Sequence, residues 1–93
     1  MLLQEVNDAV YSYPCTRTFT AIGEGSDDFR DSMVASVENA LGREVAPEWV
    51  EIKPSRAGNY MSVRIGPMTI ESQEEVSDIY KRMQDDGRMR WWM

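Results

Sequence analysis

Histidine is absent from this 93-residue chain, and Cys15 is its single cysteine. Ser-His-Asp and Cys-His catalysis, zinc fingers and iron–sulfur ligation are therefore excluded from a single chain. A disulfide framework is impossible, so a reducing compartment is expected. Lys53 and Lys81 are the only lysines, and neither belongs to a recognisable catalytic constellation. No apolar run approaches the roughly 20 residues of a membrane span. The first ten residues carry Glu5 and Asp8 and no arginine, unlike a secretory leader or an organellar transit segment. Cytoplasmic location is expected in a bacterium, and plastid stroma in a plant or alga.

The composition is that of an ordinary folded domain, with 42% hydrophobic and 28% charged residues. Net charge is -6, and it is unevenly placed. Residues 1–52 hold Arg17, Arg30 and Arg43 against ten acids, whereas residues 53–93 are close to balanced. The acid excess argues against general nucleic-acid binding, where phosphate contacts dominate affinity.

Residues 1–13 read as a short N-terminal segment with Leu3, Val6 and Val10 at helical spacing. Residues 14–93 read as one domain. Thr16–Ile22 is rich in β-branched and aromatic residues and predicts a strand, ended by Gly23-Glu24-Gly25. Ser26 predicts a helix N-cap, Phe29, Met33, Val37 and Leu41 an apolar helix face, and Gly42 its stop. Trp49–Lys53 and Tyr60–Ile65 alternate as two strands joined by the turn material Pro54–Asn59. Gly66-Pro67 is expected to break the second of them. Ser72-Gln73-Glu74-Glu75 fits a capping box before a second helix with Val76, Ile79, Tyr80 and Met83 on one face. Arg88–Met93 alternates basic with apolar as a last strand. The order β-α-β-β-α-β predicts an α+β, ferredoxin-like fold: a four-stranded antiparallel sheet with two helices on one face. The other face is left open unless the N-terminal segment or a partner covers it.

Lys53-Pro54-Ser55, Gly58-Asn59-Tyr60 and Ser62-Val63, in that order, resemble the hairpin signature of the YbeD-like proteins. Tyr13-Pro14 before the first strand and the final strand around Arg90 are also similar, so the resemblance spans about residues 12–93. Ser62–Pro67 and Arg88-Met89-Arg90 look more like the plant and algal members. The resemblance implies a fold close to the ACT regulatory domains, which bind small ligands at paired interfaces. It implies no enzymatic activity. The Trp91-Trp92 ending and the Gly23-Glu24-Gly25 turn depart from the bacterial pattern.

Two residue sets stand out. Gly23 and Gly25 before a helix, with Lys53, Arg56, Gly58 and Asn59 about the hairpin, suit a small anionic ligand. The plainer reading of the same residues is turn and cap chemistry. Trp49, Tyr60, Arg64, Arg90 and Trp92 are expected by strand parity to face away from the helices, as a partner-binding surface. Arg17 shares parity with Phe19 and Ala21 and is expected at the edge of the core face. An RNA-recognition pattern is not met, because Ala57–Arg64 keeps only its glycine. The acids at both helix starts are explained by the helix dipole. No metal, cofactor, nucleic acid or membrane is therefore expected. The expected function is a non-enzymatic regulatory or adaptor domain binding a protein partner; the alternative is a homodimeric module binding an amino acid or carboxylate.

Overall fold

A computed structural model of the chain describes residues 12–92. The segment expected over residues 1–13 lies outside the described residues except for Ser12 and Tyr13. The elements are β1 (Cys15–Glu24), α1 (Asp27–Leu41), a 3-10 turn (Pro47–Trp49), β2 (Val50–Pro54), β3 (Tyr60–Ile70), α2 (Gln73–Gln84) and β4 (Met89–Trp92). The sheet order is β2-β3-β1-β4, and every neighbouring pair is antiparallel. This is the expected ferredoxin-like arrangement.

Both helices cover one face. Phe29, Met33 and Val37 of α1, with Val76, Ile79 and Met83 of α2, meet Phe19, Ala21, Val63 and Ile65 of the sheet, all buried. The methionines serve this core: Met33, Met68 and Met83 are buried, and Met61 and Met89 pack against it. Helix starts follow the sequence chemistry. Ser26 Oγ accepts from the Phe29 amide at 3.1 Å and Ser72 Oγ from the Glu75 amide at 3.3 Å. The capping box is modified, since Glu75 Oε1 accepts from the Glu71 amide at 2.7 Å rather than from Ser72.

Three boundaries differ from expectation. β1 runs on through Gly23 to Glu24. Trp49 closes the 3-10 turn instead of opening β2. Gly66-Pro67 does not end β3, which continues to Ile70. The reason is a bulge. Phe19 lies opposite Ile65 and Arg17 opposite Met68, so Thr18 faces two residues of β3. Gly66 holds φ 145, and a Cβ there would stand 2.8 Å from the Arg17 carbonyl oxygen and the Thr18 Cα. The extra residue re-phases the strand, placing Met68 and Ile70 in the core alongside Val63 and Ile65.

Candidate functional site

The ligand set expected from sequence divides in two. Gly23 is buried strand, not a loop: a Cβ there would meet the Arg88 carbonyl oxygen at 2.4 Å and the Phe29 ring at 2.6 Å. Gly25 meets the hairpin, and its amide donates to the Asn59 carbonyl at 2.9 Å. The structure thus brings Gly25, Gly58 and Asn59 together, through backbone packing. The Gly58 amide donates to the Ser55 carbonyl at 3.0 Å and the Tyr60 amide to Ser55 Oγ at 3.1 Å, so these two donors of the turn are already engaged. Lys53 and Arg56 are exposed. Lys53 lines a shallow hollow of about 180 Å³ with Ile22, Tyr60 and Ser62.

The partner set needs a correction. Trp92 lies opposite the core residue Ala21, so it sits on the helix side. Its ring centre lies 5.9 Å from that of Tyr80 of α2, the planes tilted by 40°, and Tyr80 meets the Phe19 ring edge-on at 5.6 Å. A second bulge causes this. Met89 lies opposite Gly23 and Trp91 opposite Ile22, so Arg90 is an extra residue in β4. Arg90 is exposed, and its guanidinium donates to the Gly87 carbonyl at 2.8 Å. The residue that belongs to the open face is Trp91, whose ring is 6.4 Å from Tyr60. No sequence signal marks that bulge. Tyr60 and Arg64 lie on the open face as expected, on alternate residues to Met61, Val63 and Ile65. Arg17, opposite buried Met68, lies on the core side as expected, with its guanidinium 5.8 Å from the Phe19 ring centre.

The open face also holds a groove of about 600 Å³. Trp49, Arg64, Glu48, Glu51, Thr18 and Pro67 are among its walls. Glu51 is placed there by register, directly opposite Arg64. Sequence reasoning passed over Glu51, although the alternation that turns Val50 and Ile52 toward the core turns it outward.

Several charges on the helix side have partners. Arg30 is held by Asp31 at 3.0 Å and Asp27 at 3.2 Å, and Arg82 by Asp78 at 3.0 Å. Asp86 accepts three bonds from Arg88: its amide at 2.8 Å, Nε at 3.0 Å and Nη2 at 2.9 Å. The Arg88 guanidinium draws the Asp86 carboxyl down to about 2 against its burial, and Asp86 in turn raises Arg88. Arg43 bonds the Thr69 carbonyl. On the open face, by contrast, Arg64, Glu51, Glu48 and Lys53 have no hydrogen-bonded or ion-paired side chain among the described residues. The described residues also hold no cluster of acids or Cys15 suited to a metal ion.

Residues 8–93 match a family described as a protein of unknown function, DUF493. The chain belongs to this family. A UPF0250 protein of Idiomarina loihiensis is 29% identical over 84 residues, covering 90% of this chain and 91% of the relative. A UPF0250 protein of Pectobacterium carotovorum is 32% identical over 71 residues, covering 76% and 77%. The solution structure of protein HP0495 from H. pylori superposes with a TM-score of 0.70 at 16% identity, covering 90% of this chain and 86% of that one. At that identity the likeness concerns the fold. The YbeD-like resemblance of the hairpin is thus matched by family membership. These relatives are bacterial and give the plant and algal likeness no support. No described helix is long and apolar enough to cross a membrane.

Proposed function

We propose that this domain is a non-enzymatic regulatory or adaptor module that binds a protein partner through the open face of its sheet. The observation that carries the reading is Arg64: a cation on a central strand, without a paired side chain, in a groove with Trp49 and on the same face as the exposed Tyr60 and Trp91. Arginine and large aromatics are the side chains that most often anchor protein interfaces. The sheet's edges favour contact on the face. β2 carries Glu51, Lys53 and Pro54, which discourage an added strand, and β4 has only four residues. Without histidine, Ser-His-Asp and Cys-His mechanisms are closed to a single chain, and the module is proposed as non-enzymatic and cytoplasmic. The alternative, a homodimer with an anion at Gly23, Gly25 and the hairpin, has less behind it, because Gly23 is buried in β1 and the Gly25, Gly58 and Tyr60 amides are already bonded.

The test is affinity capture after gentle crosslinking in the native cells, comparing the wild type with Arg64→Ala combined with Trp49→Ala. A discrete partner is expected to disappear with the double variant while its circular dichroism is unchanged. Equal capture of that partner by both proteins would remove the open face from the proposal.

A further inference from the structure

We infer that the open-face groove is a binding site for a small linear zwitterion, with a carboxylate at one end, an ammonium at the other and methylenes between. The inference does not require the protein partner, although it shares Arg64 and Trp49 with that reading; it adds Glu48 and Glu51 at the same corner of the sheet. Arg64 offers only donors, and Glu48 and Glu51 only acceptors when ionised. Arg64 and Glu51 stand opposite each other on adjacent strands, yet no ion pair joins them. Each charge is therefore available to a ligand without breaking a bond inside the protein. A simple anion drawn to Arg64 would face two carboxylates, and a simple cation drawn to those would face the guanidinium. A ligand carrying both charges turns the two repulsions into attractions. Trp49 and Pro67 add apolar wall to the same groove for a methylene body. The volume of about 600 Å³ is in the range of small-molecule sites.

The probes are 5-aminopentanoate, pentanoate and pentylamine, which share a body and differ in their ends. Each is titrated into isotope-labelled protein while the Trp49 indole and the backbone amides of Glu51 and Arg64 are followed by NMR. Saturable shifts of all three signals are expected with 5-aminopentanoate, at least about tenfold tighter than with either single-ended probe. Arg64→Gln is expected to reduce 5-aminopentanoate to the affinity of pentylamine, and Glu48→Gln with Glu51→Gln to that of pentanoate. Because these side chains are exposed, the remaining amide spectrum of each variant should match the wild type. Equal shifts by a single-ended probe, no shift by any probe, or variants that bind 5-aminopentanoate unchanged would each overturn the assignment.

Discussion

Adjacent residues of β3 belong to two differently constructed faces. Val63 and Ile65 point into a core closed by both helices, and Arg64 between them points to the open side. On the covered side apolar area is removed from water, and several of the charges around it are matched, Asp86 with Arg88, Asp78 with Arg82 and Asp31 with Arg30, while Glu74, Lys81 and Asp85 are not among the described residues. On the open side threonines, a serine and unmatched charges stand among half-exposed aromatic rings. A face used only as solvent boundary would tolerate that mixture, but folding gains little from an unmatched Arg64 beside Trp49. The difference teaches where stability and recognition are stored, and it can be attacked directly.

The largest effect is expected where the two faces would be exchanged. Gly66→Val abolishes the β3 bulge, because a Cβ at φ 145 would stand 2.8 Å from the Arg17 carbonyl oxygen. A regular strand with the same number of residues then turns Met68 and Ile70 out of phase with the core. Exposing two such side chains costs about 3–6 kcal/mol, enough to unfold a domain of this size. Urea denaturation followed by tryptophan fluorescence measures it. A variant within about 1 kcal/mol of wild type would show that the bulge does not set the phase.

The next test concerns the matched charges. Asp86→Asn leaves Arg88 without its carboxylate at the junction where the Glu24 amide bonds the Arg88 carbonyl at 3.0 Å. A loss of about 1–3 kcal/mol is expected at neutral pH. Asp86 titrates lower in the folded protein, at about 2, than its ordinary 3.8. Its stabilisation is therefore complete above the unfolded value and disappears as pH falls from about 4 toward 2. The gap between wild type and Asp86→Asn in urea midpoints should close over that window. A gap of constant size would assign the cost to packing rather than to charge.

The neighbouring tryptophans of β4 compare the faces within one strand. Trp92 packs against Tyr80, which in turn meets Phe19 edge-on, while Trp91 meets only the exposed Tyr60 among the described aromatic rings. Trp92→Ala should cost about 2 kcal/mol and Trp91→Ala about 1 kcal/mol or less. Equal costs would mean that Trp91 is also part of the packed structure.

These two residues also mark the limit of what the sequence made legible. The order of elements was readable because each had its own local signal: Ser26 and Ser72 as caps, the spacing of Phe29, Met33 and Val37, and the alternation of Met61, Val63 and Ile65. Phase along a strand is local only until a bulge intervenes. Gly66-Pro67 read as a strand end because neither residue suits a regular ladder, whereas β1 accommodates them opposite Thr18. The Arg90 bulge has no glycine or proline at that residue to announce it, so Trp92 was expected on the open face in place of Trp91. Gly23 and Gly25 read as a ligand loop, but their lack of side chains admits the Phe29 ring and the hairpin backbone. In each case the missing information was a neighbour distant in sequence.

The smallest effect on folding is expected at Arg64 itself. Its guanidinium has no partner to lose, and its Cβ and stem lie on an exposed surface. Arg64→Ala should therefore change unfolding free energy by no more than about 0.5 kcal/mol, while Ile65→Ala, the next residue, should cost about 2–5 kcal/mol. Paired urea titrations of the two variants measure this contrast. A cost above about 1 kcal/mol at Arg64 would give it a structural task and weaken the case for recognition. A neutral substitution would place its use outside the folding of this chain, where the partner and zwitterion experiments look for it.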